Sequence, residues 1–325
     1  MDLSSKSRLL FVYKIVVVAI VVFLGLTRKT EEVGYRLADV PQENFLSQSG
    51  VIYSSVLLSS GDALVQDVVQ TLYPEVHNLW ADTEDMVFAE KFQYICDENS
   101  DLCSKITFIW EISAKDKYVY FSLIVYVVDA INNLLASQFD SLDDVLESID
   151  INTVGWLRRG GADWHNITIN TQIIWSYEEF LEVLTHEIWH VIDLWVIQWV
   201  SRSKNFDYTE FGAVQFAADD WSIDFYALSW KDEYKRHALS YSSDFCSGYG
   251  MSNPFEDFAE CLNLYLNHNA LFRFWAANNA ALEKKYNLFA ALFDNSYLFA
   301  GSKDLALIKN YDSDWRPWDT TRIKY

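Results

Sequence analysis

Apolar positions along the chain fall into runs whose spacing sets the elements. From 62 to 80, Leu64, Val65, Val68, Val69 and Leu72 keep helical spacing. KITFIWEI at 105–112 predicts a strand. YVYFSLIVYVV at 118–128 carries two signals: its β-branched and aromatic residues favour a strand, its continuation into DAINNLLASQF favours a helix. SLDDVLESI at 141–149 predicts a short helix. Further on, Gly160-Gly161 predicts a turn between two β-like runs. His165, Ile167 and Ile169 alternate with Trp164, Asn166, Thr168 and Asn170, which predicts a half-exposed edge strand over 164–170.

The longest amphipathic run follows. Ser176-Tyr177-Glu178-Glu179 reads as a capping box, with Trp175 and Phe180 as its hydrophobic staple, so a helix is predicted from about Tyr177 to Trp199. A second helical pattern covers about 217–239. A third starts at Asn253-Pro254, a good N-cap and first helical residue, and runs past Leu266. Residues 27–60, with Gly50 and SSVLLSSGD at 54–62, read as a stalk or loose lead-in.

Composition narrows the class. Of 325 residues, 51% are hydrophobic and 16% aromatic, which is a globular balance. The formal charge of −21 sets nucleic acid aside as a partner, because such a surface repels phosphate. Lys6 and Arg8 precede LLFVYKIVVVAIVVFLGL at 9–26, and Arg28 and Lys29 follow it. The uninterrupted apolar run 15–26 suits a signal peptide. With Lys14 snorkelling, 9–26 suits a signal anchor, so residues 1–32 are read as one or the other. Export follows from both, secreted or tethered to a membrane. Four cysteines lie beyond this segment. Sequence proximity suggests Cys96–Cys103 and Cys246–Cys261, one of three pairings. Asn166-Ile167-Thr168 is a glycosylation sequon in a secreting eukaryote.

The candidate chemistry sits inside the greasy helix, in LEVLTHEIWHVIDLWVIQWV at 181–200. His186 and His190 are four apart, so both imidazoles leave one helical face and can grip one zinc ion. Glu187 lies beside the ion's open position, where it can take a proton from water. Ionisable groups in an apolar surround are costly unless paired or metal-bound. Asp193, three residues after His190, is a candidate second carboxylate behind a ligand. The positions after His190 hold no third histidine. His165, His237 and His268 have no supporting motif and read as ordinary histidines. A third ligand is sought in GYGMSNPFEDFAECLNLYLNH at 248–268. There Glu256 and Glu260 share a helical face, an arrangement that a nearby cation or histidine would offset. Glu256 also reads as a capping-box partner of Asn253, and Tyr249 as an aromatic in a mobile glycine-flanked loop.

HEIWH together with Tyr249 and Glu256-Asp257-Phe258-Ala259-Glu260 resembles the catalytic domain of lethal-factor-like zinc metallopeptidases, a gluzincin group. The likeness spans roughly 175–270. It implies one zinc ion held by His186, His190 and Glu256, with Glu187 as general base. It further implies Tyr249 as the phenol that stabilises the oxyanion and Glu260 as a carboxylate behind the ligands.

The expected fold is therefore α+β, a zincin-like metallopeptidase domain, mostly helical with a small sheet, behind the N-terminal segment. Residues 33–150 form an N-terminal mixed region and 151–325 the catalytic domain. The expected function is an exported zinc metalloendopeptidase that hydrolyses peptide or protein substrates with a metal-activated water. A non-catalytic zincin-fold binding module, an exported decoy or adhesin, is the alternative; Glu187 argues against it, since a binding module needs no base there.

Overall fold

In a computed structural model, the two-signal stretch at 118–128 lies within helix α3, Ala114–Leu135. Phe121, Ile124, Val128, Ile131 and Leu135 recur every three or four residues and are buried, so helical periodicity overrides strand propensity. The helix is long and apolar enough to cross a membrane, but half of its most apolar window is buried inside the protein. It packs against α1 (Ala81–Glu98) and against the HEIWH helix. The structure describes residues 81–135, 141–154, 158–197, 204–210, 214–299, 304, 308–309 and 314–323. The apolar segment 9–26, the lead-in 27–60 and the helix expected over 62–80 lie outside these.

The class is α+β, mainly helical with small sheets. After the short helix α2, Ser100–Ser104, a four-stranded sheet has the order β1-β2-β4-β3. It is built from β1 (Ile106–Ile109), β2 (Ser148–Asn152), β3 (Gly160–Asp163) and β4 (Asn166–Asn170). The first three strands in that order run parallel, and β3 pairs antiparallel with β4. Ile149, Ile151, Ile167 and Ile169 fill its inner face.

Three expectations change here. The helix at 141–149 stops as α4, Leu142–Val145, and the chain turns into β2, because Ile149 and Ile151 alternate with polar neighbours. The strand at 164–170 forms as β4 but is interior; the edge strand is β3. Gly160-Gly161 lie within that edge strand, and the hairpin turns at Trp164-His165. Trp164 takes a positive φ of 57°, held by stacking on Trp195 and by the Trp195 indole N–H on its carbonyl.

Helix α5, Tyr177–Trp195, carries HEIWH and ends earlier than expected. Ser176 caps it, accepting the Glu179 amide at 3.1 Å. Glu179 answers one residue further back, on the amide of Trp175. The staple does not form: Trp175 is exposed under the Arg322 guanidinium, and Phe180 packs on Tyr120 instead. The hairpin of β5 (Lys204–Glu210) and β6 (Val214–Ala217) follows. The helix expected over 217–239 shortens to α6, Trp221–Ser229, followed by a hairpin of β7 (Trp230–Asp232) and β8 (Lys235–Arg236). Trp230 ends the helix because its indole N–H goes to buried Asp257 and its carbonyl to the Tyr208 hydroxyl. Helices α7 (Pro254–Asn267, capped by Asn253), α8 (Asn269–Ala276) and α9 (Ala280–Leu292) complete the described helical elements of eight residues or more.

Two buried ion clusters lock α7 in place. Lys285 of α9 reaches both oxygens of Asp257 at 2.8 and 2.7 Å, with both residues fully buried. His268, at the α7–α8 junction, bridges Glu182 of α5 at 3.1 Å and Asp304 at 3.0 Å. Burial would lower the His268 pKa, but the two carboxylates outweigh it and hold it up at about 10. Its charge therefore stabilises the fold in full below the unfolded value of about 6.5, and this is lost as pH rises through about 10. His268→Gln is expected to cost about 3–5 kcal/mol at pH 6.5. Thermal melts should show the wild type losing stability between pH 6.5 and 10 more steeply than the variant. Parallel curves would exclude this role.

Candidate metal centre

Helix α5 is buried along nearly its whole length, and His186, Glu187 and His190 line a cleft beside it. Helix α7 crosses it and delivers Glu256 from its first turn. Asn253 accepts the Glu256 amide at 2.9 Å, which satisfies the cap with backbone and leaves the carboxylate for the cleft. Glu256 thus meets Asn253 through its backbone alone, and its side chain does not answer as a capping box would. Its Oε2 lies 3.1 Å from His186 Nε2 and 3.6 Å from His190 Nε2.

These three side chains form a group that could hold a metal ion, one ligand atom from each, all within 4.8 Å of one another. The spacing and chemistry fit zinc. Ligands at roughly 2.0–2.2 Å around a tetrahedral ion stand about 3.3 Å apart, and two imidazoles with a carboxylate are a catalytic zinc donor set. The other ring nitrogens also face carboxylates. His190 Nδ1 lies 3.2 Å from Glu210 Oε1, and His186 Nδ1 lies 3.1 Å from Glu260 Oε1, although the His186 N–H is not aimed along that line. Carboxylates behind ligand histidines fix ring orientation and tautomer.

The imidazoles and carboxylates of the cluster shift one another. Burial alone would lower the His186 pKa, but Glu256 and Glu260 raise it to about 10. His190 is likewise raised, by Glu210 and Glu256 against burial. For Glu256 burial pushes up, and the two imidazoles outweigh it and hold it well below the usual carboxylate range.

Glu187 stands apart. Burial pushes its carboxyl up, while His186 and His190 pull it down. Among the described residues no hydrogen bond ties its carboxylate, which leans on the edge strand. A side chain on Gly160 would put its Cβ 2.3 Å from Glu187 Oε1, so glycine is required there for the close approach. Tyr249 gives its hydroxyl to Glu256 Oε1 at 2.8 Å. Burial first, then Glu256, raises its pKa, so the phenol keeps its proton.

The cleft measures about 1280 Å³ and is lined by β3, by the ligands, and by Arg158, Trp175, Tyr234 and Trp318. Both cysteine pairs are joined, with Cα atoms 5.3 Å apart at Cys96–Cys103 and 5.1 Å apart at Cys246–Cys261. The second pair ties the Tyr249 loop to α7.

That loop is pinned, contrary to the mobility its glycines suggested. The amides of Gly248 and Tyr249 bond the carbonyls of Pro317 and Trp318, and the Trp318 ring leaves no room for a side chain on Gly248. Asp193 does not stand behind a ligand. It accepts the Tyr226 hydroxyl, and burial, with Glu210 and Asp220 nearby, pushes it well above the ordinary carboxylate range. Glu210 takes the role behind His190, and no sequence signal marked it. His165 stacks on Trp195, and His237 meets only a backbone carbonyl.

Zinc titration separates the carboxylates. Glu256→Ala should abolish tight binding, while Glu260→Ala and Glu210→Ala should weaken it roughly 10–100-fold. Binding lost in Glu260→Ala yet kept in Glu256→Ala would reverse the two roles. No protein-family model matches the chain, and neither a curated protein nor a solved structure matches it.

Proposed function

We propose that the chain is an exported zinc metalloendopeptidase, as the resemblance of its motifs implies. The observation that carries the reading is Glu187: a buried carboxylate with no hydrogen bond among the described residues, facing the cleft beside three convergent candidate metal donors. A structural helix has no use for such a group, and burying it costs stability. Two disulfides support an oxidising compartment, and residues 9–26 would direct or tether the chain there.

His186, His190 and Glu256 would hold the zinc, which when bound supplies Lewis acidity toward a water and the substrate carbonyl. Glu187, its pKa raised by burial, takes the proton of the attacking water and returns it to the leaving amine. Tyr249, protonated, turns its O–H from Glu256 to the developing oxyanion. The outer edge of β3, rather than 164–170, offers main-chain groups to an extended peptide.

Glu187→Gln should keep zinc and lose at least ~100-fold in kcat on a peptide library, since only the base is removed. Undiminished turnover would sink this mechanism, and a zinc-loaded wild type that cleaves nothing would favour a binding module. Gly160→Ala gives a second test. Its new methyl must displace Glu187, so kcat should fall about 100-fold while the melting temperature barely moves. An unaffected kcat would show that Glu187 is not the base held there.

A further inference from the structure

We propose that Thr320 is a positioning residue for the metal site: its backbone N–H fixes Glu260, and Glu260 fixes His186. This rests on reading His186 as a ligand.

Glu260 is fully buried on α7, and among the described residues no lysine or arginine pairs with it. Its two oxygens face two groups. Oε2 accepts the Thr320 amide at 2.8 Å, and Oε1 lies 3.1 Å from His186 Nδ1. Among the described residues neither of those two atoms has a hydrogen-bond partner, and each is the polar atom that the other faces. A carboxylate pivoting about one bond points its free oxygen wherever the first is held. The Thr320 amide therefore decides where His186 finds its acceptor, and with it the tautomer that leaves Nε2 bare for a metal.

The amide is itself held firmly. Thr320 is fully buried, and its hydroxyl accepts from Asn263 of α7 at 3.1 Å. Asp319 caps the turn Thr320–Arg322, accepting the Thr321 amide at 2.8 Å, and pairs with Arg159 beside the edge strand. Arg159 and Arg322 both reach Glu179 in the first turn of α5, at 2.9 and 2.6 Å. The turn thus bridges the two helices that carry the ligands.

The test exploits the local backbone. Thr320 opens its turn, and Asp319 before it is extended at φ −151° and ψ 128°. Both positions accept a proline at 320, so Thr320→Pro removes the donor with little backbone conflict. Thr320→Ala keeps the donor and loses the hydroxyl and the γ-methyl. Zinc dissociation constants and metal-free melting temperatures are measured for the full chain and both variants. Thr320→Pro should bind zinc about 10–100-fold more weakly, and Thr320→Ala within about threefold of the wild type. Equal affinity in Thr320→Pro, or equal weakening in both variants, overturns the proposal. Should the proline variant not fold, the Thr320 amide resonance of the wild type decides: it should shift on zinc addition, and an unmoved resonance overturns the proposal. A wild type that takes up no zinc defeats the metal-site reading itself, a result distinct from these.

Discussion

Everything around the cleft depends on one electrostatic constraint: two imidazoles and four carboxylates lie together away from water, where an unpaired charge is costly. Desolvating a single unpaired charge costs more than a small protein's margin of stability. Here all but one of the charges meet an opposite. Glu256 lies between the two imidazoles, Glu260 and Glu210 stand behind them, and only Glu187 lacks a committed partner. The same logic repeats away from the cleft, where Lys285 meets Asp257 and His268 meets Glu182 and Asp304. Those clusters fix the crossing of α5 and α7, and the crossing fixes the donor spacing.

The legible part of this arrangement is local. HEIWH on a capped apolar helix, and Asn253-Pro254 opening another, set the face and phase of His186, His190, Glu256 and Glu260 within each helix. Helical periodicity and N-cap chemistry act over four residues, so they are written in four residues. The two disulfides were legible for the same reason, since neighbours in sequence closed them.

What was not legible comes from partners distant in sequence. Gly160-Gly161 looked like a turn because glycine pairs usually make one. Gly160 is instead the point where a strand and a catalytic-type carboxylate touch, a need visible only once α5 lies against β3. Glu210 sits at the end of an unremarkable strand and gains its role from His190, twenty positions earlier. Asp193 had the right spacing from His190 but faces Tyr226, since a helical face is wider than one ligand pocket. The helix expected over 217–239 was cut short by Trp230, whose indole answers Asp257.

The Arg159–Asp319 pair, which joins β3's approach to the turn behind the cleft, has a consequence for timing. It links positions 160 residues apart, and the Thr320–Glu260 bond spans a further 60. Contacts of such long range form late, after loop closure has been overcome. During synthesis α5 and α7 emerge well before residues 317–322. A growing chain therefore carries His186, His190 and Glu256 before the turn that braces the helices around them.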